Sequence, residues 1–184
     1  MGPGPVIEHV ELALGLAELV DAPPARALDL GSGAGVPGLV LALHWPSSSW
    51  VLLDGSEKRT AVLVEAVVQL GLHARVSVVR SRAEDTAHDP RYRGQFDLVT
   101  ARSFGPPATT AECGAPFLRV GGALIVSEPP DDTARWPADG LSEFGLTLGR
   151  ARGTRPRAQR LDLLEPCPER YPRRVGVPAK RPVF

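Results

Sequence analysis

A glycine-rich turn after a short apolar segment is the feature that most constrains how this chain can fold. The segment is residues 26–30, which carries an acid at Asp29, and glycines then occupy every second position at Gly31, Gly33 and Gly35. Glycine permits the sharp turn from a buried strand into a helix, and it lets a ligand approach main-chain amides. The pattern therefore predicts a strand–turn–helix unit of an α/β sheet, with a ligand site at the turn.

The spacing of the glycines indicates which ligand the turn suits. Dinucleotide-binding folds use G-x-G-x-x-G, whereas this chain has G-x-G-x-G with an acid two residues before Gly31. This arrangement favours S-adenosylmethionine (AdoMet) over NAD. An NAD oxidoreductase and a turn without any ligand remain the less favoured alternatives.

Acidic residues follow the next two predicted strands. Asp54 ends the apolar run 50–54, 23 residues after Gly31. The carboxyl end of the second strand of such a sheet lies beside the first turn, so Asp54 is expected to accept both ribose hydroxyls. Ala83 and Glu84 follow the third strand, where residues usually flank the adenine, and they are expected to contact the base.

The periodicity of apolar residues predicts alternating strands and helices over about 120 residues, which implies a parallel sheet covered on both faces. The predicted helices are 7–20, 38–43, 57–70 and 107–118; the predicted strands are 26–30, 50–54, 75–80, 96–101, 123–126, 144–152 and 160–164. Gly121-Gly122 is predicted to turn into the fifth of these strands.

Together with the predicted AdoMet site, this pattern predicts an α/β, Rossmann-like AdoMet-dependent methyltransferase fold with a mostly parallel seven-stranded sheet. We expect a single methyltransferase domain over residues 1–184. It comprises an N-terminal helix (1–25), the Rossmann-like core (26–165) and a basic tail rich in proline and arginine (166–184). The end of this tail, 169–184, is expected to lie over the surface or to be partly disordered.

Composition narrows the cellular setting. No apolar run approaches the ~20 residues that span a bilayer, and no secretory signal is visible. The two cysteines, Cys113 and Cys167, lack metal-ligand spacing and fit a reducing cytoplasm. The four histidines also lack ligand spacing. We therefore expect a cytoplasmic protein with no metal and no membrane partner.

The net charge of zero conceals an uneven distribution. Residues 150–184 contain ten Arg or Lys and three Asp or Glu, so the other 149 residues have a balance of −7. A basic end favours a polyanionic partner such as RNA. A merely solvated arginine-rich end remains an equal alternative.

Several motifs in order carry a resemblance to a known family. They are GSGAGVPG (31–38), LLDGSEKR (52–59), SRAE (81–84), TARS (100–103) and the closing segment 171–182. With them the chain resembles the small-subunit ribosomal RNA guanine-N7 methyltransferases called RsmG or GidB. The resemblance covers residues 26–128 and 171–182.

The resemblance implies AdoMet as the cofactor, with contacts at Gly31, Val36, Ala83, Glu84 and Arg102. It also implies 16S ribosomal RNA or the small ribosomal subunit as the partner. Arg102 follows the fourth strand, where the methyl acceptor should meet the cofactor, and it is the candidate catalytic residue. Guanine N7 bears a lone pair already, so its methylation needs positioning and matched electrostatics but no general base.

Contacts to RNA phosphates are expected from Arg102 and from six basic residues nearer the C-terminus. These six are Arg155, Arg157, Arg173, Arg174, Lys180 and Arg181.

The chain departs from the family pattern in two places. It begins 25 residues before Arg26, without the longer helical front and the Asn-Leu-Thr-like segment that family members usually have. After the fifth strand it has Glu128 where the family tends to have Lys-Gly. These departures leave two alternatives open: a small-molecule methyltransferase derived from the family, and an AdoMet-binding module with weakened catalysis.

Overall fold

A seven-stranded sheet organises the chain. The computed structural model describes residues 5–129, 135–153 and 157–184. The strands are β1 (Arg26–Leu30), β2 (Ser49–Asp54), β3 (Val76–Arg80), β4 (Phe96–Ala101), β5 (Leu118–Ser127), β6 (Leu146–Arg152) and β7 (Ala158–Leu163). Their order is β3-β2-β1-β4-β5-β7-β6, and β7 runs antiparallel to both its neighbours. The predicted mostly parallel sheet is confirmed.

Helices cover both faces of the sheet, as predicted. They are α1 (Val6–Ala17), α2 (Gly38–His44), α3 (Glu57–Gln69), α4 (Ala83–Thr86), α5 (Pro107–Gly114), α6 (Ala138–Ser142) and α7 (Val177–Lys180). Alternate strand residues point to opposite faces, and β1 contributes Ala27 to the core under α1–α3 and Leu28 to the core under α4–α6. None of the helices in the described parts of the chain is long and apolar enough to cross a membrane.

The strand order places a crevice at the carboxyl ends of β1 and β4. From β1 the chain first builds β2 and β3 on one side and then returns to build β4 on the other. Loops diverge at such a switch point, and ligands of open α/β sheets bind there. Leu30 pairs with both Leu53 and Ala101, so Gly31 stands between Asp54 and Arg102 at the ends of the neighbouring strands.

The fifth strand begins earlier than predicted. It runs from Leu118, and Gly121 and Gly122 lie within it, so their interpretation as a turn before the strand is wrong. The register against β4 shifts between Phe96 and Leu98, and Gly121 has φ +83°. Glycine suits this bulge because Gly121 adopts a positive φ and a side chain at Gly122 would lie 2.9 Å from the carbonyl oxygens of Phe96 and Arg119.

The end of the chain packs against the body more closely than its composition predicts. Tyr171 and Pro178 are buried, and the Tyr171 ring lies 4.8 Å from that of Phe144. The short helix α7 packs on α5. The expectation of a surface-lying or disordered tail is therefore wrong for these residues.

Candidate active site

The glycine turn is held to the second strand by main-chain hydrogen bonds. All three glycines have positive φ, between +56° and +88°. The amides of Gly31 and Ser32 donate to the carbonyl of Leu53 at 2.8 and 3.0 Å, and that of Gly35 donates to Ser32 at 2.7 Å. The amide of Gly33 donates to Asp54. A ligand was expected to approach main-chain amides here, but the turn already uses the amides of these three glycines to hold its own shape.

Asp29 is a buried carboxyl group that ties three elements together. The hydroxyl of Thr100 on β4 donates to it at 2.8 Å, and the amide of Gly38, which begins α2, donates at 3.1 Å. Burial raises its pKa to about 6, against the opposing effect of these hydrogen bonds. A side chain at Gly38 would contact Asp29 at 2.7 Å, which explains glycine at the start of α2.

Asp54 supports the glycine turn from the end of β2. Its carboxylate accepts the amides of Gly33 at 2.9 Å and Ser56 at 2.8 Å, and the guanidinium of Arg59 lies 3.7 Å away. The side chain is buried. It therefore links the glycine turn to the start of α3.

A cavity of about 490 Å³ lies in front of this turn; we call it the glycine-turn cavity. Its lining residues are Gly31, Ser32, Gly33, Ala34, Val36, Lys58, Arg59, Val62, Arg102 and Ser103. Four of the predicted site residues thus come together. Lys58, Arg59 and Val62 were assigned no role in the sequence analysis, although the first two lie within the motif at 52–59. Their position on the first turns of α3, directly after the second strand and its loop, is the sequence signal that could have identified these three residues.

Arg102 is held by the N-terminal helix. Its Nη2 atom lies 3.0 Å from Nδ1 of His9, a buried residue of α1. The histidines lack ligand spacing in the sequence, and the contact of His9 with Arg102 was not predicted because the two residues are 93 positions apart. The next residue, Ser103, has φ +52°, which is uncommon for a residue other than glycine. Such outliers cluster at functional sites.

Ala83, Glu84 and Gly35 lie outside the wall of the glycine-turn cavity. Gly35 is buried, and a side chain there would collide with Leu39. Ala83 and Glu84 are also buried, and the Glu84 carboxylate accepts the amide of Gly176 at 3.0 Å. Burial raises the pKa of Glu84, but the Gly176 amide, its own amide and Arg82 outweigh burial and hold the pKa below its ordinary value.

Much of the basic C-terminal region is paired within the molecule. Arg173 binds Glu112, which is completely buried, through its main-chain amide at 2.8 Å and its guanidinium at 2.6 Å. The expectation that Arg173 grips RNA phosphate is therefore wrong. Arg157 also has a partner. Arg174, Lys180 and Arg181 are exposed, and Arg155 lies outside the described residues.

A second cavity, of about 270 Å³, lies beyond the ends of β4 and β5; we call it the β4–β5 cavity. Its lining residues are Ser103, Phe104, Gly105, Pro107, Val126, Ser127, Glu128, Pro129, Arg135 and Trp136. Ser103 lines both cavities, so they adjoin. Glu128, noted above only as a departure from the family pattern, accepts a hydrogen bond from the Trp136 indole at 2.8 Å.

Comparison with known proteins identifies the family. The family model described as rRNA small subunit methyltransferase G matches residues 6–129. A ribosomal RNA small subunit methyltransferase G from Moorella thermoacetica is 36% identical over 186 residues, covering 96% of this chain and 77% of the relative. One from Prochlorococcus marinus is 39% identical over 170 residues, covering 87% and 68%.

Solved structures agree on the fold. TrmN from Thermus thermophilus superposes with a TM-score of 0.63 at 26% identity, over 84% of this chain and 49% of that one. An O-methyltransferase family protein from Burkholderia thailandensis gives 0.67 at 15% identity, over 84% and 55%. The chain spans about half the length of these two proteins. The fold is Rossmann-like and of the methyltransferase type, and the chain belongs to the rRNA small subunit methyltransferase G family.

Proposed function

We propose that this chain transfers the methyl group of AdoMet to N7 of a guanine in 16S ribosomal RNA. The observation that carries the proposal is the glycine-turn cavity, which joins Gly31, Val36 and Arg102 at the switch point of the sheet. Relatives that share more than a third of its residues are named ribosomal RNA small subunit methyltransferase G.

The residues around the glycine-turn cavity fit AdoMet. Gly33 has open space where a side chain would stand, apart from the carbonyl of Gly31 at 3.8 Å. Each oxygen of Asp54 has two acceptor sites, so this carboxylate has capacity for ribose hydroxyls beside the two amides it holds. Ala83 and Glu84 follow β3, the neighbour of β2, and this position supports their proposed contact with the adenine. When bound, AdoMet supplies an electrophilic methyl group on a sulfonium.

The cations at the cavity act on anionic groups. Lys58, Arg59 and Arg102 all line it. A guanidinium beside the sulfonium would repel it, so Arg102 is suited to the carboxylate of the methionine portion or to a phosphate of the RNA. The contact with His9 limits the rotamers of Arg102 and reduces the entropy lost on binding such a group.

In this proposal the protein catalyses the reaction by positioning the reactants. Guanine N7 already carries the lone pair that would accept the methyl group, with S-adenosylhomocysteine as the leaving group, so no side chain has to remove a proton. The protein must align N7 with the methyl group and exclude water. This alignment raises the effective molarity of the two reactants. Val36 and Val62 give the cavity the apolar surface for this.

The proposed reaction can be tested with labelled AdoMet. The acceptors are small ribosomal subunits and naked 16S RNA from a strain that lacks its own enzyme of this family, and digestion should yield labelled 7-methylguanosine. We expect Arg102→Ala to lower kcat/KM by about 10- to 100-fold, since it removes a charged contact. Arg80→Ala is the matched control, because Arg80 pairs with exposed Glu57 on the surface.

The same experiment separates the alternative functions. AdoMet binding measured by calorimetry, without transfer to either RNA, would support the binding module. Transfer to a small molecule but not to RNA would support the small-molecule methyltransferase. Either result would overturn the proposal.

We further propose that residues 1–184 act as one methyltransferase domain in the cytoplasm. Supporting this, α1 supplies His9 to Arg102, and the C-terminal segment supplies Gly176 to Glu84. Both cysteines are free thiols, and burial raises the pKa of Cys167 to about 12, so it is unreactive at neutral pH.

A further inference from the structure

The β4–β5 cavity has the size and position for one acceptor base. Its volume of about 270 Å³ lies just below the ~300–1,000 Å³ of drug-sized ligand pockets. Because Ser103 lines both cavities, a group in the β4–β5 cavity stands next to the predicted place of the cofactor.

Aromatic side chains and one acid give this cavity its chemistry. Phe104 and Trp136 line it, and an aromatic face stacks on any base. The Glu128 side chain is only 14% exposed and accepts hydrogen bonds from Arg135 at 2.9 Å and from the Trp136 indole at 2.8 Å. One bond therefore reaches each carboxylate oxygen, and each oxygen keeps a second acceptor site.

We propose that the β4–β5 cavity receives the target guanine and that Glu128 recognises its Watson–Crick edge. The two carboxylate oxygens accept the N1–H and N2–H groups, which form a pair of parallel donors. N7 belongs to the other ring of the purine, so binding N1 and N2 at Glu128 leaves N7 free for the methyl donor. This inference rests on the proposed function and specifies how that site selects its base.

The two hydrogen bonds to the Glu128 carboxylate favour guanine over the other purines. Adenine presents an acceptor at N1 and no amino group at C2, so it would leave the partly buried carboxylate facing a lone pair. Inosine keeps N1–H but lacks the amino group at C2. A site built to bind a donor rejects an analogue that lacks it, because the buried acceptor then loses its partner.

Nucleotide titrations test the inference without requiring turnover. The protein is saturated with S-adenosylhomocysteine to occupy the glycine-turn cavity, and GMP, IMP or AMP is added while tryptophan fluorescence is followed. Trp45 and Trp50 are buried in the opposite core, so a change reports Trp136. We expect GMP to bind about 10-fold more tightly than IMP, as one hydrogen bond to a charged group predicts, and AMP more weakly still.

The variant Glu128→Gln isolates the carboxylate. A glutamine presents a donor to the guanine edge, so the ratio of GMP to IMP affinity should fall to about 1, whereas a purely structural role would weaken both nucleotides equally. Asp139→Asn, an exposed acid nearby, is the charge-matched control and should leave the ratio unchanged. Equal binding of GMP and IMP by the wild type, or an unchanged ratio in Glu128→Gln, would overturn the inference.

These results are independent of the proposed reaction. Methylation of RNA without discrimination between GMP and IMP would refute the base-recognition role and leave the function standing. Discrimination without any transfer to RNA would support the role and refute the function.

Discussion

At the scale of single residues, Asp29 shows how a site residue can serve structure rather than chemistry. Its carboxyl group is inside the sheet, bonded to Thr100 and Gly38, with no position on the glycine-turn cavity. Burial raises its pKa from an ordinary value of 3.8 to about 6. The group is therefore more easily ionised in the unfolded chain than in the folded one.

This difference predicts a pH-dependent stability. The folded state holds the Asp29 proton that the unfolded state loses, so this contribution is fully present below pH 3.8 and is lost as pH rises through about 6. Between pH 4.5 and 7 the free energy of unfolding of the wild type should fall by about 2 kcal/mol relative to Asp29→Asn. Urea unfolding of both proteins at the two pH values measures this, and parallel pH curves would contradict it.

Gly31 carries a second prediction at this scale. An alanine there would adopt φ +70° and place its Cβ 2.7 Å from the Phe104 ring. We expect Gly31→Ala to lower the free energy of unfolding by about 2–3 kcal/mol and AdoMet affinity at least 10-fold, since both strain and overpacking act.

Gly94 offers the matched control for that experiment. It has φ +66° with no atom within 4 Å of an added Cβ. Gly94→Ala should therefore cost about 1 kcal/mol from backbone strain alone and leave AdoMet binding intact. Equal effects of the two substitutions on stability and on calorimetric AdoMet affinity would show that the Phe104 contact has no influence.

At the scale of elements, the C-terminal segment fastens the helices on one face of the sheet. Arg173 binds buried Glu112 on α5, and Gly176 binds Glu84 on α4. Arg93, in the loop before β4, donates to the carbonyls of Cys167, Pro168 and Tyr171. A short segment thus joins elements that are far apart along the chain.

Removing the cation of the Glu112 pair should loosen this segment. Arg173→Ala leaves an uncompensated buried charge, and we expect the free energy of unfolding to fall by about 3 kcal/mol. Its neighbour Arg174 is exposed, and Arg174→Ala should change stability by less than about 0.5 kcal/mol. Denaturant unfolding measures the free energy of unfolding of both variants. Similar losses for the two would show that the pair of Arg173 with Glu112 does not contribute to stability.

At the scale of the whole molecule, the basic end of the chain neutralises part of its acidic body. Arg150 and Arg160 both pair with Asp21, and Arg152 pairs with Glu18. The charge count therefore overstates what the C-terminal region offers to RNA. Arg150 and Arg170 are exposed but paired with acids, so among the described residues Arg174, Lys180 and Arg181 are the exposed cations of this region that form no ion pair.

The salt dependence of RNA binding should distinguish these two groups of cations. Replacing Arg174, Lys180 and Arg181 by alanine should reduce the slope of log affinity against log salt by about 2, from three lost phosphate contacts. Alanine at Arg150, Arg152 and Arg170, each paired with an acid, should reduce it far less. Filter binding from 50 to 300 mM salt measures both, and equal slopes in the two triple variants would refute the assignment.

The amino-acid sequence by itself determined the order of strands and helices, the glycine turn and the family. These features depend on local periodicity, on turn residues and on motifs close together along the chain. Strand ends such as Leu30 and Ala101 were predicted at their observed positions because each strand is a short, largely apolar run.

Only the tertiary structure decided which partners these residues have. His9 reaches Arg102 across 93 positions, Glu112 captures Arg173 across 61, and the amides of the glycine turn bind Leu53 and Asp54 rather than standing open. No local pattern encodes such contacts, because they depend on how strands and helices far apart in sequence are brought together. The sequence shows where a charge or a glycine lies, but the packing of the folded chain determines which groups bind it.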